Sequence, residues 1–185
     1  MADDATIPAA LARTVELHGD EVAVVDGDQV VTWSELFEQS RRFGAALVRA
    51  EIQVGDRVAI WAPNSLRWIV ALLGLSCAGA TLVPVNTRFK GDEAGVVLAR
   101  SGAIALVVST NFLGVDHLAM LGASQVEVPE LRTVVPIDEV RSGTDVWEAF
   151  VDTAEDSHLA ELDRRAAAVA PDDVSDLLFT SGTTG

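Results

Sequence analysis

The sequence predicts an α/β fold in which helices cover both faces of a parallel sheet, with a small hairpin near the N-terminus. Short apolar runs without polar interruption recur at 58–61, 82–83 and 105–108. The segments between them carry apolar residues at the three-to-four-residue spacing of a helix. Strands that are apolar along their whole length and alternate with helices are typical of parallel sheets buried on both faces. Hydrophobic residues make up 49% of the 185 residues, which is enough for one ordinary core.

The chain begins with the signals of a helix and a hairpin. Thr6 is a favourable N-cap, and Pro8 stands in the first turn, where a missing N–H is tolerated. A helix should therefore run to about His18. Two valine-rich segments, 21–25 and 29–31, flank an Asp-Gly-Asp turn, and this strand-turn-strand pattern predicts a β-hairpin.

The middle of the chain alternates between helices and the three apolar runs. Thr32 and Glu35 have the spacing of a capping box, which starts a helix ahead of the first run. A helix over 64–79 then leads to the second run. Another helix over 92–100, closed by Gly102, leads to the third run. Parallel strands joined in this way are expected to have right-handed crossovers.

The region that follows is predicted to complete the sheet and then leave it. A short helix at 118–121 precedes a further strand at 131–135. Residues 142–171 are more charged, and we expect them to lie at the periphery. Trp147 and Phe150 within this region predict a short helix that is pinned to the core by its aromatic side chains.

A helix over 160–169 and an apolar strand over 174–179 lead directly into a loop of small and hydroxylated residues. This loop consists of Thr180, Ser181, Gly182, Thr183, Thr184 and Gly185. Its glycines let backbone N–H groups turn inward, its hydroxyls add donors, and no bulky side chain excludes an anion. A strand followed by such a loop is typical of polyphosphate binding, and the plainer alternative is a surface turn. It is not a Walker A loop, because the one lysine, Lys90, lies far away.

The charge balance limits the classes of partner. The chain carries 28 acidic and 13 basic residues, a net charge of −15, with an isoelectric point near 4.4. This balance disfavours nucleic acid and anionic membranes as partners. The apolar stretch over 68–85 contains two glycines and a proline and reads as a helix and a strand, not as a transmembrane segment. Acidic residues stand where a signal peptide would be basic, and the single Cys77 fits a reducing cytoplasm.

No second group of residues suggests chemistry, so we assign no catalytic and no metal-binding residue. The three histidines, His18, His117 and His158, lack metal-ligand spacing and are expected at the surface or in caps. Cys77 and the four tryptophans (Trp33, Trp61, Trp68 and Trp147) are expected in the core. Arg88 follows a buried strand, so it could face a carboxylate or phosphate, although an ion pair is favoured. The acidic residues Asp172, Asp173 and Asp176 are expected to form a solvated edge.

The terminal heptapeptide, Phe-Thr-Ser-Gly-Thr-Thr-Gly, resembles the first half of the phosphate loop of the adenylate-forming enzymes. Four other segments resemble motifs of this family in the same order along the chain. They are Thr-Trp-Ser-Glu-Leu at 32–36, Gly-Asp-Arg-Val-Ala-Ile at 55–60, the Ala-Gly to Val-Asn segment at 78–86, and Pro-Asp-Asp-Val at 171–174. The resemblance thus extends over essentially the whole chain, and the ordered set is far more specific than any single motif.

The resemblance implies an enzyme that joins a carboxylic acid to ATP and passes the acyl group to coenzyme A. It implies ATP, Mg²⁺ and coenzyme A as cofactors, and Thr180 to Gly185 as the residues that hold the ATP phosphates. Thr183 and the Val-Asn-Thr-Arg segment at 85–88 resemble acyl-CoA synthetases more than peptide-synthetase domains. The segments at 112–114, 147–150 and 174–179 resemble actinobacterial ligases for fatty acids or steroid-derived acids.

The family enzymes are much longer than this sequence. We therefore expect residues 1–185 to be part of the large N-terminal domain, with the C-terminal domain absent and the αβ layer incomplete. Such a chain should be inactive alone and should associate with itself through exposed apolar surface. The alternative is a naturally truncated, non-catalytic binding module. A dehydrogenase-like domain is disfavoured because no Gly-x-Gly-x-x-Gly follows a strand. The sequence leaves the acyl substrate open.

Overall fold

The structure is a computed structural model that describes residues 6–180. In chain order its elements are α1 (Ile7–His18), β1 (Val22–Asp26), β2 (Gln29–Thr32), α2 (Trp33–Arg49), β3 (Arg57–Trp61), α3 (Leu66–Cys77), β4 (Thr81–Pro84), α4 (Gly91–Ser101), β5 (Ala105–Val108), α5 (His117–Gly122), β6 (Thr133–Pro136), β7 (Val140–Arg141), β8 (Thr144–Asp145), α6 (Val146–Val151) and α7 (Asp156–Ala168). This order confirms the predicted α/β class and the N-terminal hairpin of β1 and β2.

The helix ends that were predicted from capping residues agree with the structure because they depend on local hydrogen bonds and conformations. Thr6 caps α1 by accepting from the Ala9 backbone N–H, at 3.3 Å. Thr32 and Glu35 form the predicted capping box at the start of α2. Gly102 ends α4 with a φ of 61°, a left-handed conformation that favours glycine.

The main sheet has the strand order β4-β3-β5-β6, and all of its pairs are parallel. Successive residues of the central strand β3 face opposite layers. Val58 and Ile60 pack with α2 and α3, whereas Ala59 and Trp61 pack with α4 and α5. All four side chains are fully buried. The sheet is therefore covered on both faces, as its uninterrupted apolar strands predict.

Helices α2 and α3 approach each other at a pair of glycines. A methyl group on Gly74 would lie 2.6 Å from the backbone oxygen of Ser40. A methyl group on Gly44 would lie 2.7 Å from the backbone oxygen of Gly74. Such distances are shorter than van der Waals contact, so these two positions accept only glycine without movement of a helix backbone.

The peripheral region after the sheet is pinned by aromatic packing, as predicted. The Trp147 ring of α6 stacks on Phe43 of α2, with centroids 4.5 Å apart and planes 5° apart. The Phe150 ring lies 5.8 Å from the Phe43 ring. Arg67 of α3 hydrogen-bonds Asp145 at 2.5 Å and lies over the Trp147 ring. The helix expected over 160–169 is longer, because α7 starts at Asp156.

The strand expected over 174–179 is wrong in length and in burial. Only one bridge forms, a parallel pairing of Asp176 with Leu82 of β4. Val174 and Leu178 are 66% and 68% exposed. The physical reason is that this segment lies at the edge of the sheet, beside β4. No described element packs over the side chains that it turns away from the sheet.

No helix among residues 6–180 is long and apolar enough to cross a membrane. The stretch over 68–85 instead forms most of α3, a turn at Gly79 with a φ of 72°, and strand β4. This confirms the predicted helix and strand.

Candidate functional site

A crevice runs along the edge of the sheet at which β3, β4 and β5 end. It consists of two adjoining cavities of about 510 and 420 Å³ that share Thr87 and Phe112 in their walls. We call it the edge crevice. Its lining residues come from the strand ends and the loops after them: Ile60, Ala62, Pro63, Asn64, Trp68, Pro84, Val85, Asn86, Thr87, Arg88, Phe89, Lys90, Phe112, Leu113, Val115, His117 and Met120. This edge is where α/β sheets commonly bind ligands.

His117 is buried in the wall of the edge crevice, with an exposed fraction of 1%. Its ring lies 4.5 Å from the Trp61 ring and 6.3 Å from the Phe112 ring. The Nε2 atom is 3.1 Å from the carbonyl oxygen of Thr87. A carbonyl oxygen can only accept, so Nε2 carries a proton in this contact. Nδ1 is buried, and it has no partner among the described residues.

The expectation of a surface or capping position is thus wrong for His117 and right for the other two histidines. His18 lies at the surface, with its Nδ1 2.9 Å from Glu21. His158 belongs to a helix cap, because the Glu155 N–H donates to its Nδ1 at 3.0 Å. His117 differs because Trp61 of the central strand offers an aromatic surface on which its ring packs.

Two cations lie on the edge crevice without an acidic partner. Arg88 and Lys90 are both exposed, and neither forms a salt bridge within the part of the chain that the structure describes. The prediction that Arg88 forms an ion pair is therefore wrong for the part of the chain that the structure describes. The Arg88 backbone N–H donates to the Asn86 side chain at 2.9 Å, and Trp61 Nε1 donates to the Asn86 carbonyl at 3.0 Å. Hydrogen bonds to the Asn86 side chain and carbonyl hold this loop, and the side chains of Arg88 and Lys90 are left accessible to an anion.

Asp138 organises the loop that follows β5. Its carboxylate accepts hydrogen bonds from Ser109 Oγ at 2.5 Å, from Thr110 N–H and Oγ at 2.7 and 3.0 Å, and from Asn111 N–H at 3.3 Å. Partial burial raises the pKa of this carboxyl group, but the hydrogen bonds outweigh it, and the pKa lies below its ordinary value. The carboxylate is therefore charged at neutral pH.

The loop beyond Asn111 makes a tight two-residue turn at the mouth of the edge crevice. The backbone groups of Phe112 and Val115 exchange hydrogen bonds of 3.0 and 2.9 Å. The turn residues Leu113 and Gly114 both have positive φ, at 52° and 76°. Positive φ strains a leucine, and Leu113 is also 86% exposed. The surrounding hydrogen bonds must therefore hold this turn in place.

The predicted phosphate loop lies mostly outside the described residues. Thr180 is described and exposed, whereas Ser181, Gly182, Thr183, Thr184 and Gly185 are not described. The segment before it runs alongside β4, because the Leu82 N–H donates to the Ser175 carbonyl and the Leu177 N–H donates to the Leu82 carbonyl, at 2.9 and 2.8 Å. The pairing is parallel. The chain thus heads toward the edge of the sheet that holds the edge crevice. The assignment of all six residues to phosphate binding stays a prediction.

The remaining candidate residues behave as structural groups. Cys77 is 3% exposed, and burial raises the pKa of its thiol to about 11, as expected of a core residue. Trp61 and Trp147 are buried, and Trp33 and Trp68 pack partly buried against the core. The acidic residues Asp172, Asp173 and Asp176 are exposed, as predicted. Within residues 6–180, no three His, Cys, Asp or Glu side chains come together as metal ligands.

Sequence reasoning missed Asp138 and the burial of His117. A signal for Asp138 was present, since Ser109-Thr110-Asn111 and Asp138 follow the ends of two apolar strands. Parallel neighbouring strands bring such polar groups to the same edge. The burial of His117 has no comparable signal, because it depends on Trp61, which lies far away in the sequence.

Comparison with known proteins agrees with this architecture. Residues 11–185 match the AMP-binding enzyme family. A Rhodococcus jostii protein described as 3-[(3aS,4S,7aS)-7a-methyl-1,5-dioxo-octahydro-1H-inden-4-yl]propanoyl:CoA ligase is 45% identical over 97% of this chain, and the Mycobacterium tuberculosis protein of the same description is 44% identical over 97%. The solved structure of an M. tuberculosis fatty acyl CoA synthetase superposes on 97% of the chain with a TM-score of 0.80 at 21% identity.

The matched region covers nearly all of this chain but only about a third of each relative. This chain spans 36% and 35% of the two curated relatives and 33% of the solved chain. The structural likeness, at 21% identity, supports the fold alone. The family match covers nearly the whole chain, the terminal loop included, and the similarity to the two actinobacterial ligases is equally extensive. The chain therefore belongs to the AMP-binding enzyme family.

Proposed function

We propose that residues 1–185 form part of the large N-terminal domain of an AMP-forming acid–CoA ligase. The observation that carries this proposal is the family match over residues 11–185, which includes the Thr180–Gly185 loop. The parallel pairing of the preceding segment with β4 directs that loop toward the edge of the sheet that has a cationic, aromatic-walled crevice.

The proposed reaction solves a chemical problem of the substrate. A carboxylate is a poor electrophile, and joining it to AMP gives an acyl-adenylate with a good leaving group. The carboxylate oxygen attacks the α-phosphorus of ATP, and pyrophosphate departs with the electrons of the broken bond. The thiol of coenzyme A then attacks the acyl carbon and AMP leaves. The protein lowers the barrier by positioning the reactants and neutralising phosphate charge.

Residues of this chain suit two parts of this task. We assign Thr180 to Gly185 to the ATP phosphates, through backbone N–H groups and hydroxyls. The edge crevice suits an anionic ligand, because Arg88 and Lys90 stand on its rim without acidic partners among the described residues. Both ATP and coenzyme A carry phosphates. A chain with a net charge of −15 would otherwise repel them.

For the acid, we propose a steroid-derived propanoate, with a fatty acid as the second candidate. The first rests on the two relatives at 45% and 44% identity, whose descriptions name a ligase for an indenyl propanoate. The second rests on more distant relatives, including a Mycobacterium marinum ligase at 28% identity whose description names both medium- and long-chain fatty acids and a steroid acid.

Mg²⁺ and cellular location complete the proposal. Mg²⁺ is expected to accompany the ATP phosphates. The described residues offer no cluster of acids for it, so we assign no ligand and no step to the ion. A cytoplasmic location is proposed because the buried Cys77 needs no oxidising environment.

The first prediction concerns catalysis by the isolated chain. The 185-residue protein should release no pyrophosphate from ATP in response to an acid, because the proposed ligase requires residues beyond those of this chain. A longer product of the same gene should release pyrophosphate with the indenyl propanoate and form its CoA thioester, measured by coupled assay and mass spectrometry. Pyrophosphate release by the 185-residue chain would contradict the claim that the reaction requires residues beyond this chain. A longer product that activates no acid would contradict the proposed ligase function.

The second prediction concerns self-association, which we also propose. Val174 and Leu178 leave apolar surface on the outer side of the segment beside β4. We expect this surface to pair with a second copy, so that light scattering gives a dimer. Leu178→Asp should give a monomer. Leu113→Asp is the matched control, since Leu113 is 86% exposed elsewhere, and it should stay dimeric. A monodisperse wild-type monomer at high concentration would contradict the proposal.

A non-catalytic binding module is the second candidate function. Every described feature of this chain fits this function as well as it fits a ligase. The two candidates differ only in whether a longer gene product activates an acid. The pyrophosphate assay of that product therefore decides between the two.

A further inference from the structure

Asp138 connects the ends of two neighbouring strands. It lies two residues beyond the end of β6 and binds the three residues that directly follow β5, Ser109 to Asn111, through four hydrogen bonds. A carboxylate that accepts several hydrogen bonds, two of them from backbone N–H groups, makes stronger bonds than a neutral acceptor would. The exit of β5 is therefore held by one charged side chain.

The four hydrogen bonds between Asp138 and residues 109–111, which we call the Asp138 clamp, lie next to the wall of the edge crevice. Phe112 comes directly after Asn111, and the strained turn at Leu113 and Gly114 follows it. The far end of the loop returns to the same point, because the His117 N–H donates to the Ser109 carbonyl at 3.2 Å. Both ends of the 109–117 loop thus meet at Ser109, whose hydroxyl is bound to Asp138.

A leucine with positive φ keeps that conformation only where neighbouring contacts enforce it. The turn itself supplies the two backbone hydrogen bonds between Phe112 and Val115. Its tip makes little contact with the protein, since Leu113 is 86% exposed. The start of this loop is joined to the sheet by the four hydrogen bonds of Asp138 and by the Ser109 N–H, which donates to the Trp61 carbonyl of β3 at 3.0 Å.

We infer that Asp138 is a positioning residue of the edge crevice, which fixes Phe112 and His117 in the wall that an anionic ligand meets. This inference rests on the proposed function for the identity of that ligand, ATP or coenzyme A. The clamp itself is independent of it. Asp138 acts through the loop and does not line the crevice.

Asp138→Asn tests the role because it keeps the size of the side chain and removes its charge. An amide offers one oxygen, and its NH₂ group faces the donors of Ser109, Thr110 or Asn111. Asp92→Asn is the matched control. Asp92 also binds a turn, through Ser124 Oγ at 2.6 Å and Gln125 N–H at 3.2 Å, but it does not line the edge crevice and its hydrogen bonds do not reach the 109–117 loop.

The first measurement is amide hydrogen exchange by NMR on the 185-residue chain. Asp138→Asn should accelerate exchange at Phe112 and Val115 by at least about tenfold and leave the amides of β3 unchanged, because the loop opens locally. Asp92→Asn should leave all of these rates unchanged. Unchanged rates at Phe112 and Val115, or equal acceleration in β3, would overturn the inference. If Asp138→Asn does not fold, Ser109→Ala provides the test, because it removes one of the four hydrogen bonds to Asp138. It should accelerate exchange at the same two amides by a smaller factor.

The second measurement separates positioning from general stability in the longer ligase. Asp138→Asn should raise KM for ATP or for coenzyme A by about tenfold and leave kcat within about twofold. KM unchanged for both substrates would overturn the positioning role while the ligase assignment stands. If a longer product has no ligase activity, the identification of the ligand as ATP or coenzyme A is wrong. The exchange measurement then still shows whether Asp138 holds the 109–117 loop in place.

Discussion

Gly74→Ala should lower the free energy of unfolding of this chain by about 3 kcal/mol, at the upper end of the usual cost of overpacking. The added methyl group would lie 2.6 Å from the backbone oxygen of Ser40, and that oxygen cannot rotate away as a side chain could. Alanine is the better helix former by roughly 1 kcal/mol, but this gain is smaller than the cost of separating α2 from α3. In a chain of this size the melting temperature should fall by about 6–12 °C.

Gly122→Ala is the control for this substitution. Gly122 is the last residue of α5, has no positive φ, and has nothing within 4 Å of the position that an added methyl group would take. Its replacement should change the free energy of unfolding by no more than about 0.5 kcal/mol. Thermal and denaturant unfolding followed by circular dichroism measure both variants. Equal stabilities of the two variants would show that the glycine contact of α2 and α3 carries no such constraint.

Gly182→Val should reduce kcat/KM for ATP by at least about 100-fold in a longer ligase that contains this chain, the loss typical of removing preorganised donors to a charged transition state. In the proposed phosphate loop, the β-branched side chain would restrict the backbone and occupy space that the anion needs. Pyrophosphate release at varied ATP concentration measures the effect.

The matched control is Gly122→Val, which places the same side chain at an open position on α5. It should keep kcat/KM for ATP within about threefold of the wild type. Circular dichroism checks that both variants are folded. If Gly182→Val were as active as this control, the assignment of the terminal loop to the ATP phosphates would be wrong.

Features fixed by neighbours in the sequence could be predicted, and features fixed by distant contacts could not. The caps at Thr6, Thr32 and Gly102 depend on hydrogen bonds or conformations within one helical turn. Strands β3, β4 and β5 of the main sheet were recognisable because burial on both faces requires uninterrupted apolar residues. The family resemblance was recognisable for a different reason, since it rests on motifs and not on contacts.

The errors share a physical cause. The segment at 174–179, in which Val174 and Leu177 to Phe179 are apolar, forms a buried strand only if another layer covers it, and the described residues supply no such layer. Arg88 was expected to pair with an acid, but pairing depends on which groups the fold brings near it. The same is true of His117, whose burial is set by Trp61. From the sequence, therefore, only the terminal loop could be predicted as part of the candidate site. The edge crevice and the role of Asp138 became visible only in the structure.

The pairing of the 175–177 segment with β4 also sets an order of assembly. The Thr81 hydroxyl donates to the Val174 carbonyl across 93 positions of the chain, at 2.9 Å. Contacts so distant in sequence close a large loop and form late in folding, after elements joined by shorter connections. Strands β3, β4 and β5 should therefore come together first and offer the outer side of β4 as a template. During synthesis, the segment that leads to the candidate phosphate loop would therefore dock onto a sheet that already exists.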